Sequence, residues 1–200
     1  MPKNISKKQL LSPRLPLLDV VNKAQQNLAS QDNALLLTFW GSKGCGRTTF
    51  LNVVKEKFSM NSKVGIAGFW DASRNQASDL SSAILKAVNN QDAKQKLVLI
   101  DNLDALLKTD GGDFFEFESG TILKLIERGD TLIVTSSEIE IHFWQEYDVR
   151  ERQKNYQLIP LKANELEGIL NETDIDDDHA YQMTLGHPKI LEALLDHSTV

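Results

Sequence analysis

The sequence predicts an α/β protein in which a five-stranded parallel sheet lies between helices. Three observations carry that expectation. Five short apolar runs recur along the chain, and the stretches between them have helical periodicity. The runs are continuous rather than alternating, the pattern of strands covered on both faces. The 200 residues are 41% hydrophobic and 25% charged, an ordinary balance for a domain large enough to bury a core without staples.

Residues 1–16 read as a flexible N-terminal arm, in which Lys3, Lys7, Lys8 and Arg14 are interspersed with Pro2, Pro13 and Pro16. A helix follows over Leu17–Ala29, because Leu17, Leu18, Val21, Ala24 and Leu28 share one helical face. Ser30–Asn33 supplies a turn. The strand candidates are Leu35–Trp40, Val64–Trp70, Leu97–Ile100, Leu132–Val134 and Leu158–Leu161. Helices are expected between them at Thr48–Phe58, Ala77–Asn89, Phe114–Arg128 and, less regularly, Ile139–Arg152. Residues 17–161 therefore make one α/β domain. Residues 162–200 read as two or three short helices around the acidic turn Glu172–Asp178.

Composition bounds the function. Twenty-two basic and 28 acidic residues leave a net charge of −6, which disfavours a domain built to grip duplex DNA. A single cysteine, Cys45, excludes an internal disulfide and a multi-cysteine zinc site. His142, His179, His187 and His197 lack ligand-pair spacing, and Asp176–Asp178 lacks the alternation and glycine of a calcium loop. Trp40, Trp70 and Trp144 read as core or interface anchors. No apolar run approaches the roughly 20 residues of a membrane-spanning helix. No apolar segment follows the first lysines as a secretion signal requires, so a cytoplasmic protein is expected.

The chemistry concentrates after the first strand, in Gly41-Ser42-Lys43-Gly44-Cys45-Gly46-Arg47-Thr48-Thr49. A glycine-rich segment between a buried strand and a helix can curl so that its N–H groups point inward at phosphate oxygens. The helix start adds its positive end. The spacing is that of a phosphate loop, with Thr48 placed to put a hydroxyl on Mg2+. Arg47 stands where the motif has lysine; a planar fork replaces a point charge, so binding is expected to survive better than hydrolysis. Leu97–Ile100 ends in Asp101, an acid at a strand tip suited to hold the same Mg2+. Asn102 follows, where a glutamate would polarise water, and an amide cannot act as a base. Asp104 is a further carboxylate nearby. The strand over Leu132–Val134 runs into hydroxyls, of which Thr135 and Ser136 are candidates to position water or phosphate, Thr135 being preferred.

With Phe39–Leu51, Ile100–Asp104 and Tyr156–Leu161, the chain resembles AAA+-type P-loop NTPases. Within them it is similar to the DnaA-related group that includes the regulatory inactivator Hda, over about Leu35 to Leu170. The resemblance implies ATP or ADP with Mg2+, weak or partner-stimulated hydrolysis, and control of a larger assembly in replication initiation. It implies an arginine acting on a neighbouring subunit's nucleotide; by its spacing from Asp148, Arg152 matches better than Arg150. It also implies a helical lid, here a truncated one over 162–200, with Lys189 in place of the lid's arginine. Gln9-Leu10 followed by Leu15-Pro16-Leu17 is similar to the group's sliding-clamp peptide. The expected partners are proteins, a homologous subunit among them, with DNA reached only through a partner and no membrane contact. Gly186-His187-Pro188 is similar to a motif of STAND-type signalling ATPases. A signalling or defence switch therefore stays open beside the replication role, as does an interaction module whose nucleotide is structural.

Overall fold

The computed structural model describes residues 15–28, 33–61, 63–109, 111–162, 170, 176–186, 188, 190 and 191. The strands are β1 (Leu36–Trp40), β2 (Val64–Asp71), β3 (Gln95–Asp101), β4 (Thr131–Ser137) and β5 (Gln153–Gln157). The helices are α1 (Leu15–Gln26), α2 (Arg47–Ser59), α3 (Ala77–Asn89), α4 (Ala105–Thr109), α5 (Gly111–Phe117), α6 (Leu123–Arg128), α7 (Tyr147–Arg152) and α8 (Asp177–Thr184).

All five strands are parallel and lie in the order β2-β3-β4-β1-β5. From β1 the chain crosses to the far edge and then steps back through β3 and β4 to β5. Right-handed crossovers taken in opposite directions put their helices on opposite faces. Thus α2 covers one face, where Phe50 meets Phe39 at 4.5 Å between ring centroids, and the helices from α3 to α7 cover the other. The crevice for a ligand in such a sheet lies beyond the carboxyl ends of the strands, where the order reverses around β1.

Two-sided burial explains why β3 and β4 were legible as apolar runs. Leu97, Val98, Leu99, Ile100, Leu132, Ile133 and Val134 are all completely buried. Each such side chain removed from water contributes roughly 1.5–3 kcal/mol. The helix α3 occupies the expected span, burying Ala77, Leu80, Ile84 and Val88 on one stripe.

Three expectations are corrected. The fifth strand is Gln153–Gln157, not Leu158–Leu161. Among the described residues it is a sheet edge, paired with β1 alone, and it carries Gln153, Lys154, Asn155 and Gln157, so no apolar run marks it. Leu158 prolongs the ladder by one bond, its N–H donating to the Trp40 carbonyl at 2.7 Å. The Leu161 N–H turns instead to the Gly186 carbonyl at 2.7 Å. Of Ile139–Arg152, only Tyr147–Arg152 is helical. The segment before it is irregular and pinned by buried Ile141 and Trp144. The stretch Phe114–Arg128 begins earlier, at Gly111, and is broken by a π-helical turn, Glu118–Ile122.

At the amino-terminal edge of the sheet, Lys96 on β3 is buried against Asp130 at 2.6 Å. Burial pushes the Asp130 carboxyl up, but hydrogen bonds from Lys96 and Thr131 and the Arg128 contact outweigh it and hold it below its ordinary value. A depressed carboxyl pKa contributes stability above the unfolded value and loses it as pH falls through the folded one. Asp130→Asn should therefore cost about 1–3 kcal/mol at neutral pH by leaving the Lys96 ammonium unpaired. In urea unfolding across pH, the gap to wild type should close below 3.8, the carboxyl's ordinary value.

Candidate phosphate site

The loop between β1 and α2 is built around three glycines. Gly41 is pressed against the backbone after β5; a Cβ there would lie 2.4 Å from the Leu158 carbonyl oxygen. Gly44 and Gly46 take φ of 91° and 92°, in the left-handed region that favours glycine. Gly46 then caps α2, whose first N–H groups, on Arg47, Thr48 and Thr49, have no partner within the helix. Ser42 and Lys43 are exposed at the turn, whereas Cys45 is fully buried beneath it.

Two strand ends and this loop meet at one carboxylate. Asp101, at the tip of β3, is 2% exposed. Thr48 donates its hydroxyl to Asp101 Oδ2 at 2.5 Å. On the other oxygen, Ser136 of β4 donates a short hydrogen bond. The Asn102 N–H donates to that same oxygen at 3.1 Å and to the Ser136 hydroxyl at 3.0 Å. Asn102 adopts φ 54°, which asparagine tolerates better than most residues. A threonine hydroxyl and a carboxylate side by side are hard oxygen donors of the kind Mg2+ takes.

Arg47 reaches inward. Its Nη1 is buried, donates no hydrogen bond among the described residues, and lies 3.9 Å from Asp104 Oδ1. That orphaned donor is what a phosphate oxygen would satisfy. Asp104 is not a spare acid: its Oδ1 accepts the Glu138 N–H at 2.9 Å and its Oδ2 meets Lys108 Nζ at 3.2 Å. Hydrogen bonds to Asp104 and Glu138 raise the Lys108 ammonium pKa above its ordinary value.

Thr135 does not come to this cluster. It is buried, donating to the Thr38 hydroxyl at 3.0 Å. Successive strand residues face opposite ways, so only one of two adjacent hydroxyls can meet Asp101, and that one is Ser136. Arg152 stands at the other edge of the sheet, just before β5, donating to the Asn33 carbonyl at 3.0 Å. Arg150, on the same helix, is exposed. Lys189 lies outside the described residues. Pro188 does reach the loop, with its Cγ 3.8 Å from where a Cβ on Gly46 would stand.

One neighbour was not anticipated. Asp71 ends β2 in register with Asp101 and accepts the Asn102 side-chain N–H2 at 3.0 Å. The same oxygen accepts from the Ser73 N–H at 3.0 Å and the Ser73 hydroxyl at 2.6 Å, while Oδ2 meets Arg74 at 3.0 Å. Burial raises the Asp71 pKa, but these partners outweigh it and leave the carboxyl below its ordinary value. The signal was available: an acid closing an apolar strand, the same pattern as Asp101. Among the described residues no group of three or more His, Cys, Asp and Glu side chains is arranged to hold a metal ion. No helix among them is long and apolar enough to cross a membrane.

A five-stranded parallel sheet in this order, with a glycine loop facing an acid at the next-but-one strand tip, defines a P-loop NTPase fold. Residues 37–140, more than half of the chain, match the ATPase family associated with various cellular activities (AAA), and the chain belongs to that family. No curated protein matches it in sequence. Among solved structures, the replication initiator DnaA bound to AMPPCP and single-stranded DNA is similar at TM-score 0.63 and 16% identity, covering 91% of this chain and 60% of that one. The Aeropyrum pernix ORC1 protein in complex with DNA gives TM-score 0.56 at 16% identity over 98% of this chain and 61% of that one. C. elegans PCH-2 gives 0.55 at 13% identity over 78% and 45%. The chain thus spans less than two thirds of each, and at these identities the likeness is one of fold.

Ser136→Ala and Thr135→Val should separate the two hydroxyls. The first removes a donor from buried Asp101 and is expected to cost about 1–3 kcal/mol and to alter metal-dependent nucleotide affinity. The second is expected to change stability alone. Urea unfolding with calorimetric titration of ADP and Mg2+ checks both.

Proposed function

We propose that this chain is a nucleotide-dependent switch that binds ATP or ADP with Mg2+ and hydrolyses ATP weakly or only when a partner subunit assists. The carrying observation is the meeting of Thr48 and Asp101 in front of a loop whose Gly44 and Gly46 are both left-handed. The loop N–H groups and Arg47 would hold phosphates, and Thr48 and Asp101 would hold the metal, which supplies charge neutralisation at the phosphates when bound. Ser136 would fix the Asp101 carboxylate in place.

Slow turnover follows from this chain's own residues. Asn102 can accept a hydrogen bond from water but cannot take its proton. The Arg47 fork neutralises phosphate without the compact charge of a lysine. The positive charge missing in the transition state would come across a subunit contact from α7. Arg152 and Arg150 sit on the edge of the sheet opposite the loop, so neither serves its own site. Nucleotide state would thereby report on assembly.

A setting in replication initiation is supported by the likeness of fold to DnaA and ORC1 and by the motifs around Arg47 and Asn102. With a net charge of −6, contact with duplex DNA would pass through a partner protein. The Gln9–Leu17 segment is proposed as the clamp-binding peptide, and residues 162–200 as the lid. A second reading, a STAND-type signalling switch, is favoured by one observation: Pro188 beside Gly46 would let nucleotide state act directly on the carboxy-terminal segment.

Calorimetry should show one ADP or ATP bound per chain, with Mg2+ strengthening ATP. Arg47→Ala should weaken binding by about tenfold or more, the scale of a lost charged hydrogen bond. Arg150→Ala or Arg152→Ala should leave binding intact and abolish partner-stimulated phosphate release. Absence of any nucleotide binding by the wild-type chain would overturn the proposal.

A further inference from the structure

Position 102 holds an amide that cannot act as a base, and a carboxylate stands directly beside it on the neighbouring strand. Asp71 accepts the Asn102 side-chain N–H2 at 3.0 Å. That contact fixes which end of the amide is which, because a carboxylate accepts and only the nitrogen of Asn102 can donate. Asn102 Oδ1 is then turned away from Asp71, and no donor among the described residues reaches it. Its backbone is held as firmly, by Asp101 and Ser136 on one side and by the Ala105 N–H on its carbonyl at 2.9 Å. Asp71 itself cannot swing freely, since Ser73 and Arg74 engage both of its oxygens.

We propose that Asp71 is a positioning residue that locks the Asn102 carboxamide, so that the site offers a reacting water a neutral acceptor where a carboxylate would otherwise stand. The inference rests on the nucleotide-switch reading above and deepens it. The water is oriented but keeps its proton until another group takes it, so the triphosphate state is long-lived. The two residues form a matched pair. A carboxylate at 102 would face the Asp71 carboxylate at hydrogen-bond distance, and like charges so close cannot both ionise. The acid is displaced by one strand, and the site is slow because of where it went.

Reciprocal exchange tests this on the full chain with ATP and Mg2+. Asp71→Asn combined with Asn102→Asp lets the amide at 71 donate to a carboxylate at 102, giving up the Ser73 N–H on the same atom, and moves the charge to the water's side. Aspartate also tolerates the left-handed backbone that glutamate would strain. Phosphate release by the double variant should rise about tenfold or more over wild type, a conservative fraction of the roughly hundredfold or more that a well-positioned base supplies. Asn102→Asp alone should fall well short of the double variant, because its carboxylate is opposed. Asp71→Asn alone should lower it, because an amide at 71 can either accept from Asn102 or donate to it and no longer fixes its orientation, and should shift the Asn102 side-chain amide resonances. Affinity for a non-hydrolysable ATP analogue should stay within about threefold of wild type throughout, since neither residue holds phosphate.

A single Asn102→Asp variant as fast as the double, or a double no faster than wild type with analogue binding intact, overturns the inference alone. Failure of the wild-type chain to bind the analogue overturns the nucleotide-switch reading beneath it. If Asp71→Asn does not fold, Asp71→Ser carries the same comparison.

Discussion

The Asp101 carboxylate is the joint on which this structure turns. It is buried, and an isolated carboxylate so placed would be costly. Three donations offset that cost, from the Thr48 and Ser136 hydroxyls and the Asn102 N–H, and Ser136 also accepts from Asn102. These groups come from the helix after β1, from the turn after β3 and from the tip of β4. One side chain thereby fixes how three elements meet at the sheet's carboxyl edge. The Asp104 carboxylate repeats the device one turn later, tying the segment after β3 to the Glu138 N–H at the end of β4. A loop meant to wrap phosphate needs a rigid floor, because its own glycines have little preference for any one conformation.

The sequence made this edge legible in unequal parts. Asp101 and the glycine loop could be found because each lies where an apolar run stops. Thr135 and Ser136 are not distinguished by the sequence: a run ending in consecutive hydroxyls does not say which faces the neighbouring acid, and a one-residue error, as at Thr135, reverses the answer. Gln153–Gln157 gives no apolar signal because an edge strand need not be apolar to pair. The irregular stretch before α7 looked helical because Ile141 and Trp144, which anchor it singly, fall at spacings a helix would also use. Asp71 could have been found by asking which other strand ends in an acid.

The two edges of the sheet carry different duties. At the carboxyl edge are the loop, Asp101 and Asn102; at the opposite edge, α7 presents Arg150 and Arg152. The π-helical turn at Glu118–Ile122 bears on that second edge. Buried Glu118 accepts the Glu146 N–H at 2.8 Å, at the residue that starts α7. The turn inserts a residue into a helix that would otherwise run on to Arg128, and such insertions persist where a side chain must be aimed. Here the aimed group is a carboxylate that sets where α7 begins, and so where its arginines stand.

Arg47, Asn102 and Asp71 share one physical consequence. Together they keep the summed charge of the crevice while moving it away from where a leaving group and a water would use it. Arg47 keeps its positive charge but spreads it over a plane and directs one donor toward Asp104, not into the loop alone. Asn102 keeps an acceptor but no charge. Asp71 keeps the charge one strand away, bound to Arg74 and Ser73. Binding depends on the summed field and on the loop's N–H groups, which do not change. Turnover depends on groups within hydrogen-bond reach of the reacting atoms. On the proposed reading, a site of this pattern would hold a nucleotide without hurrying it, and a partner bringing an arginine to it would decide when the hold ends.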